Sequence, residues 1–522
     1  MALDMESYAK LFLLWLLTFL LLGSFFKRYV NYRTARLPPS PLALPILGHL
    51  YLLGPLIHRS LHHLSKRYGP LIHLRLGTLG SVIVVSSPKM AREFLKAHDL
   101  NFASRPHLVA QDYVPNACTG FAFAPYSPYW KFMKKLCVSE LFSSKKLDQS
   151  MKIRQEEIRS LLGHFFEKSR YGEQVDIKGT LTALTNNIIC RMVMSMRCSG
   201  SENDADECRK LVEEVVEMGG RLNFVHILHS WRYLDLFGYG KRLNVAYERF
   251  MDIMEKILKE HEEKKMKKEM DGVDGIDEDL MDTVIKITQD ETAELKLSRG
   301  SLKAFFLDLF IGGTETSSTT MQWALSELIR HPDVLKKARE EIESIVGKDR
   351  LVEESDIPNL HYIQAIVKET LRLHPTVPLI LRESIQDCNI EGFSIPHKTK
   401  IFINVWAIGR DPEYWKSPLE FQPERFLNSN MVSSQSAIDL KGQNFELIPF
   451  GSGRRICPGI SLALHVIHAT IAALVQCFDW QYDGSMGQSK IDMKESVGLT
   501  LRMDGPLYYI PTTHRNPLAT ST

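Results

Sequence analysis

One cysteine of this chain stands in a loop whose composition suits a metal ligand. Cys457 lies in the segment FGSGRRICPG (450–459), just before an apolar helical run, 460–477. A thiolate is a strong donor to haem iron, and glycines let the backbone approach a flat cofactor and direct N–H groups at the sulfur. The neighbouring positive charges would favour the thiolate over the thiol. A lone cysteine is usually a buried structural residue, but this spacing favours a ligand.

The fixed positions of this segment indicate a family. The pattern F-x-x-G-x-R-x-C-x-G is matched at Phe450, Gly453, Arg455, Cys457 and Gly459. It resembles the haem-binding loop of the cytochrome P-450 family. The resemblance implies that Cys457 is the axial ligand of haem b iron, and that Phe450, Gly451 and Gly459 contact the cofactor. A dinucleotide-binding loop is the competing interpretation, and it fails because Ile456 stands in place of the third glycine and no strand–loop–helix unit surrounds it.

A long helical segment, 301–330, carries the second group of polar residues. Its middle reads LFIGGTETSS (309–318), and His331-Pro332 ends it. Two adjacent glycines weaken a helix by roughly 1 kcal/mol each relative to alanine. Gly312 and Gly313, followed by an acid and hydroxyls, therefore predict a local opening for a small ligand such as dioxygen. A close contact between two helices explains the glycines equally well.

The same segment resembles the oxygen-binding motif of the family, [A/G]-G-x-[D/E]-T-[T/S]. The motif is matched at Gly312, Gly313, Glu315, Thr316 and Ser317. The resemblance implies that Thr316 hydrogen-bonds dioxygen, that Glu315 helps to deliver protons, and that Gly313 lies against the cofactor. Proton delivery to the distal oxygen and electron donation by the thiolate together drive cleavage of the O–O bond.

An acid–base motif follows in the order typical of the family. Glu369 and Arg372 are three residues apart on one helix face, and alone they indicate a surface ion pair. The segment PERF (423–426) adds Arg425. The resemblance makes these three residues a buried charge triad that supports the cysteine loop.

Several basic residues are candidates for the haem propionates. Trp130 and Lys134 fit the pattern W-x-x-x-[R/K], which in the family pairs with a propionate, and the resemblance adds Arg382 and Arg455. Without the resemblance each of these bases would be interpreted as exposed. A basic cluster suited to an acidic electron donor is formed by Lys131, Lys134, Lys135 and Arg454.

The resemblance also indicates which segments line the substrate pocket. The candidates are Phe121, Phe123, Phe306, Leu309, Phe310, Val377, Leu379, Ile380 and Leu499. Few of them could bind a charged group, so we expect a neutral, largely apolar substrate. The general similarity to plant members that act on flavonoids and triterpenoids favours a triterpenoid-like skeleton.

The N-terminus predicts a membrane anchor. An apolar run, LFLLWLLTFLLLGSFF (11–26), approaches the roughly 20 residues that a bilayer span needs. Acidic residues precede it and basic residues follow it, which places the rest of the chain in the cytosol. A cleaved signal peptide is the alternative, and it would need a positive leader and a small-residue cleavage site. The acidic leader and the basic flank argue against it. We expect an anchor at 1–30, a proline-rich hinge at 31–50 and a cytosolic haem-thiolate catalytic domain at 51–522, at the endoplasmic reticulum membrane.

Composition and periodicity indicate the fold class. The 522 residues are 44% hydrophobic and 24% charged, with a net charge of +2, so bulk electrostatics do not suggest a nucleic-acid partner. Residues 70–87 alternate as strands do, and short apolar stretches in 390–404 also indicate strands. Most of the rest has helical periodicity. The expectation is a mainly α protein with small β-sheets. The resemblance specifies the cytochrome P-450 fold, with haem between the long oxygen-binding helix and the cysteine loop.

The leading hypothesis is a haem-thiolate monooxygenase that inserts one oxygen atom of O2 into a plant specialised metabolite. No flavin or nucleotide motif is visible, so NADPH electrons would come from a separate NADPH–cytochrome P-450 reductase. A flavonoid or isoflavonoid hydroxylase or synthase is an alternative within the family. A reductase-independent haem-thiolate isomerase or dehydratase is another, against which Glu315 and Thr316 argue. Thr316 and Cys457 argue against the last alternative, a non-catalytic haem-binding membrane protein.

Overall fold

Helices dominate the computed structural model. It describes residues 7–13, 15–16, 18–19, 23, 36–45, 47–114, 120–197, 204–228, 235, 237–270, 279–289, 295–427, 438–482, 491–496, 498 and 500–517. The helices are α1 (Ile57–Tyr68), α2 (Pro88–Arg92), α3 (Pro128–Leu136), α4 (Ser144–Gln149), α5 (Met151–Tyr171), α6 (Ile177–Met194), α7 (Asp204–Leu228), α8 (Tyr239–Met270), α9 (Leu280–Gln289), α10 (Arg299–Arg330), α11 (Pro332–Val346), α12 (His361–Leu373), α13 (Val405–Ile408) and α14 (Ile460–Cys477).

The strands form three small sheets. They are β1 (Leu71–Leu76), β2 (Gly80–Val85), β3 (Val175–Asp176), β4 (Leu379–Glu383), β5 (Cys388–Ile390), β6 (Phe393–Ile395), β7 (Lys400–Asn404), β8 (Phe478–Tyr482) and β9 (Tyr508–Thr513). The largest sheet has the order β1-β2-β7-β4, in which only the β2–β7 pair is parallel. The other sheets are β3-β9-β8 and the hairpin β5-β6. The predicted mainly helical fold with small sheets is confirmed.

Helix α10 runs through the core and positions the candidate oxygen motif. Its 32 residues correspond to about 48 Å of helix. Ser298 caps its N-terminus by accepting a hydrogen bond from the N–H of Ser301 at 3.0 Å, which satisfies a backbone donor that has no partner within the helix. His331 and a proline end the helix. Both ends of the helix are thus set by local sequence, and the end at His331-Pro332 is the one that the sequence predicts.

Helix α14 follows the cysteine loop and anchors it to the core. Among the described residues it is the one helix that is long and apolar enough to cross a membrane, yet 72% of it is buried inside the protein. Apolar residues all around a helix are typical of a core position. This helix therefore fixes the C-terminal end of the loop rather than spanning a bilayer.

Only part of the expected anchor lies within the described residues. Residues 7–13, 15–16, 18–19 and 23 are helical. Leu11, Phe12, Trp15 and Phe19 are each about 60% exposed, although such side chains are normally buried. The basic residues Lys27 and Arg28, which supported the orientation, lie outside the described residues. The exposed apolar helix is the structural feature that bears on the anchor.

Candidate active site

Helix α10 and the cysteine loop line the same cavity, which has a volume of about 330 Å³. Cys457 and Gly459 belong to one part of its wall, and Gly313 and Thr316 belong to another. Trp130, Arg382, Phe450, Gly451 and Arg455 complete the set of sequence-predicted cofactor residues that line this cavity. These residues come from four separate segments and meet around one space, which we call the inner cavity.

The cysteine loop needs its glycines. Gly451 and Gly453 have φ values of 76° and 70°, a left-handed conformation that residues with a side chain rarely adopt. A Cβ on Gly453 would lie 2.4 Å from the carbonyl oxygen of Leu95. The N–H of Cys457 donates to the carbonyl of Phe450 at 3.0 Å. The loop is therefore a tight turn that fixes the direction of the cysteine side chain.

Different features around Cys457 raise and lower the pKa of its thiol. Burial raises the pKa of the thiol, while a hydrogen bond from the N–H of Gly459 and the charge of Lys134 lower it. The sequence suggested that the two arginines of the loop supply the positive charge. Arg454 instead pairs with Asp99, and the nearby cation that acts on the sulfur is Lys134.

Lys134 lies beside the cysteine loop and not where a partner for a haem propionate was expected. Its Nζ donates to the carbonyl oxygen of Ile456 at 2.6 Å, and burial lowers its pKa. Lys134 is not among the residues that line the inner cavity, and it does not belong to the exposed basic cluster. Lys131 and Lys135 on the same helix are exposed. The ammonium group ties α3 to the residue just before the cysteine.

Three arginines bring positive charge to the inner cavity. Arg105, Arg382 and Arg455 line it, and none of them forms an ion pair with a carboxylate among the described residues. Burial lowers the pKa of Arg105 to about 10, and burial with the charge of Arg105 lowers that of Arg455 to about 9. Burial also lowers the pKa of Arg382 strongly.

These guanidinium groups fit a dianionic cofactor. The Nε of Arg105 and the Nη1 of Arg455 are buried and have no hydrogen-bond partner. Buried polar atoms are rarely left without one. Arg455 also lies 4.1 Å from the ring centroid of Trp130, so a donor set for two carboxylates stands beside a thiol ligand. The residues present therefore fit an iron porphyrin with its two propionates.

The two glycines of α10 have different surroundings. A Cβ on Gly313 would lie 2.5 Å from a carbon of Ile189 in α6, whereas a Cβ on Gly312 would meet nothing within 4 Å. Gly313 therefore allows the close helix contact, and Gly312 leaves open space at the cavity. The hydroxyl of Thr316 donates to the carbonyl of Gly312 at 2.7 Å. Gly313 is thus explained by the close helix contact, while the opening for a small ligand stays a prediction that the open space at Gly312 supports.

Glu315 is held by residues far away in the sequence. Its carboxylate accepts hydrogen bonds from the guanidinium of Arg502 and from the hydroxyl of Thr500. Glu315 and Thr500 line a second cavity of about 660 Å³, the outer cavity. The acid of the candidate oxygen motif therefore contacts the late segment that borders the outer cavity.

The outer cavity adjoins the inner one. Both are lined by Arg105, Ala122, Asp308, Gly312, Thr316 and Val377. Among the expected substrate residues, Phe123, Val377 and Leu379 line the outer cavity. Phe121, Leu309, Val377 and Ile380 line the inner one.

Two expected pocket residues are not brought to either cavity. Phe306 and Phe310 are four residues apart and so share one face of α10. Both are buried in the core, where Phe310 packs edge-on against Phe250 of α8 at 6.3 Å. Their assignment to the pocket was wrong because the sequence does not show which face of an apolar helix meets the cavity. Leu499 lies outside the described residues.

Glu369, Arg372 and Arg425 come together as a buried cluster. Arg372 donates to both oxygens of Glu369 at 2.7 and 2.8 Å, and Arg425 donates at 3.0 Å. The side chains of Glu369 and Arg372 are 0% exposed. Arg372 also donates to the carbonyls of Gly409 and Pro418 at 2.6 and 2.7 Å. The cluster therefore holds the chain segment that leads towards the cysteine loop.

Several residues of the site were missed by the sequence analysis. Arg105 and Arg502 carry no motif, and their importance follows only from tertiary contacts. Asp308 had a usable signal, because it is the single charged residue in the apolar stretch AFFLDLFIG (304–312). A charge in such a stretch is rarely buried without a partner.

Comparisons with known proteins show which family this chain resembles. The family model for cytochrome P-450 matches residues 38–508. A 3,9-dihydroxypterocarpan 6A-monooxygenase of Glycine max is 44% identical, covering 93% of this chain and 94% of that protein. A beta-amyrin 24-hydroxylase of Glycine max is 43% identical, covering 99% of this chain and 100% of that protein. A zebra fish cytochrome P-450 structure with progesterone has a TM-score of 0.74 at 26% identity, covering 88% of this chain and 100% of that chain.

Proposed function

Because this chain belongs to the cytochrome P-450 family, we propose that it inserts one oxygen atom of O2 into a neutral, largely apolar plant metabolite with a triterpenoid-like skeleton. It is a monooxygenase, and it uses dioxygen, an organic substrate and electrons from a redox partner. The observation that carries the substrate proposal is the outer cavity. It is large and mostly apolar, and it reaches the inner cavity beside Thr316.

The size and lining of the outer cavity support a bulky substrate. Its volume of about 660 Å³ lies within the range of small-molecule sites, which is about 300–1,000 Å³. The relative that is similar over its whole length is named as a hydroxylase of beta-amyrin, a triterpenoid. An isoflavonoid-type skeleton is the second candidate, because the pterocarpan monooxygenase is equally similar.

The family and the fold imply a haem-thiolate cofactor, which we propose to be haem b. When bound, it would supply oxygen activation at an iron atom. Cys457 would hold the iron, and Arg105, Arg382 and Arg455 would hold the propionates. The hydroxyl of Thr316 would hold a proton at the face of α10 that borders the cavity, and Glu315 would pass protons towards it from the Arg502 side.

Exposed features of the chain support a proposal for its partner and its location. The electron donor would be NADPH–cytochrome P-450 reductase, steered by the exposed Lys131 and Lys135. Residues 1–30 would anchor the protein in the endoplasmic reticulum membrane, and 31–50 would form the hinge. The catalytic domain, 51–522, would face the cytosol.

Expression in microsomes with a reductase tests this function. We expect a gain of one oxygen atom in a neutral triterpenoid or isoflavonoid from a metabolite pool, dependent on NADPH and reductase. The product is detected by mass spectrometry. Conversion of a peroxide without reductase would instead favour the isomerase or dehydratase class, and the absence of any turnover by haem-loaded protein would contradict the proposal.

The same experiment with Thr316→Ala tests the role of the threonine hydroxyl. Without the hydroxyl, the proton relay is incomplete, so product formation should fall by about 100-fold, a typical contribution of proton transfer. Reduced oxygen should then leave as hydrogen peroxide, measured against NADPH consumed. The control is Thr320→Ala. Thr320 lies one turn further along α10, where its hydroxyl is hydrogen-bonded to Thr376 at 3.0 Å. Unchanged product and unchanged peroxide in Thr316→Ala would contradict the assigned role.

Lys134→Met tests whether α3 supports the cysteine loop. The carbonyl of Ile456 would lose its donor, which should destabilise the haem-loaded protein by about 1–3 kcal/mol. The reduction potential of the haem should also fall, because a nearby positive charge favours the more negative reduced state. Lys135→Met on the same helix is the control and should change neither. Equal melting temperatures and potentials in both variants would contradict this role for Lys134.

A further inference from the structure

An acidic side chain stands where the two cavities adjoin. Asp308 lines both of them, and its Oδ2 accepts a hydrogen bond from the N–H of Ala122 at 3.0 Å. Burial raises its pKa to about 6, while hydrogen bonds from the N–H groups of Ala122 and Phe121 act in the opposite direction. The proposed chemistry gives this carboxylate no role.

A tyrosine hydroxyl without a partner lies nearby. Tyr247 of α8 lines the outer cavity and is only 6% exposed. Among the described residues its hydroxyl has no hydrogen-bond partner. Burial and the charge of Asp308 raise its pKa to about 12, so the hydroxyl keeps its proton. A buried hydroxyl of this kind normally has a partner, which points to a ligand atom that would provide one.

The two side chains offer complementary hydrogen-bonding capacity. A carboxylate has about four lone-pair sites, and the N–H groups of Phe121 and Ala122 use two of them. Asp308 can therefore accept one more hydrogen bond, and Tyr247 can donate one. Leu243, Ala304 and Leu307 line the same outer cavity, so a polar pair stands within an apolar surface.

We propose that Asp308 and Tyr247 form a polar subsite that binds a hydroxyl group of the substrate. The hydroxyl donates to Asp308 and accepts from Tyr247, while the apolar skeleton fills the rest of the outer cavity. This inference rests on the proposed function and deepens it. It makes the substrate an apolar skeleton that carries a free alcohol or phenol, and it excludes a fully apolar hydrocarbon as the preferred substrate.

The subsite also sets which end of the substrate is oxidised. Asp308 and Thr316 are eight residues apart on α10, which corresponds to about 12 Å along the helix axis. A hydroxyl held at Asp308 therefore places a distant part of the skeleton at Thr316. The new oxygen atom should appear on a carbon remote from the anchored hydroxyl, as the structure of the product would show.

Binding titrations of the haem-loaded enzyme test the subsite. The probes are beta-amyrin with its O-methyl ether, and 4′-hydroxyflavanone with 4′-methoxyflavanone, each followed by the shift of the haem Soret band. The wild-type enzyme should bind at least one hydroxylated probe about tenfold more tightly than its ether. Tyr247→Phe and Asp308→Asn should each abolish that preference while binding the ether as before.

Tyr509→Phe is the matched control. Tyr509 is also buried. Its hydroxyl contacts Ser326 at 2.8 Å and it lines neither cavity, so the preference should persist. Should Asp308→Asn fail to fold, Tyr247→Phe alone decides, because it keeps the ring and removes only the unpartnered hydroxyl. A preference that survives in Tyr247→Phe, or a wild-type enzyme that prefers neither hydroxylated probe, would overturn the subsite. Failure of the proposed function is recognised separately, by the absence of a thiolate-type carbon monoxide spectrum or of reductase-dependent turnover.

Discussion

Replacing Cys457 with serine should abolish oxygenation while the polypeptide remains folded. Loss of an outer partner of a metal ligand costs about 10–100-fold in metal affinity or activity, so loss of the ligand itself should exceed that range. The thiol lines the inner cavity, so serine changes the cavity wall more than the packing. The measurement is the carbon monoxide difference spectrum of the reduced protein, together with product formation.

Cys477→Ser provides the control for the Cys457 prediction. Cys477 is buried at the end of α14 and lines neither cavity. A buried hydroxyl in its place should lower stability by about 1–3 kcal/mol, yet the thiolate-type spectrum should remain. A Cys457→Ser protein that kept this spectrum would contradict the assignment, since another sulfur would then have to bind the iron.

Short motifs predicted the cysteine loop and the polar residues of α10 that line the inner cavity. The loop around Cys457 could be identified because its glycines and cysteine have fixed spacing, which reflects the tight turn that the structure shows. Thr316 and the Glu369–Arg372 pair could be identified in the same way. Each of these residues needs a particular local backbone or a neighbour one helical turn away, so the requirement is visible in adjacent sequence.

Other parts of the site depend on contacts that no local pattern records. The spacing of Lys134 to Trp130 could place it on α3. Its contact with the carbonyl of Ile456, 322 residues further along the chain, could not be predicted in this way. The partner of Glu315, Arg502, lies in a segment that has no motif. For an apolar helix, the sequence predicts burial without showing which side meets a cavity. Phe306 and Phe310 were assigned to the pocket for that reason.

The charge triad illustrates how burial changes the meaning of a motif. Exposed ion pairs contribute about 0–1 kcal/mol, and Glu369 with Arg372 would be such a pair on a surface helix. Both side chains are instead fully buried. Each charge therefore depends on its partner, because water cannot replace it.

Replacing Glu369 with glutamine should destabilise the protein by about 3–5 kcal/mol, since the charges of Arg372 and Arg425 would remain buried without compensation. The segment that leads to the cysteine loop would lose its support, so the haem content of purified protein should fall in parallel with its melting temperature. Glu340→Gln is the matched control, because Glu340 forms an exposed pair with Lys336 on α11 and its loss should have no measurable effect.

Arg372→Lys separates charge from geometry. It keeps the positive charge but loses donors to the carbonyls of Gly409 and Pro418, so it should also lose haem. Full haem content and an unchanged melting temperature in Glu369→Gln would show that the triad does not support the loop.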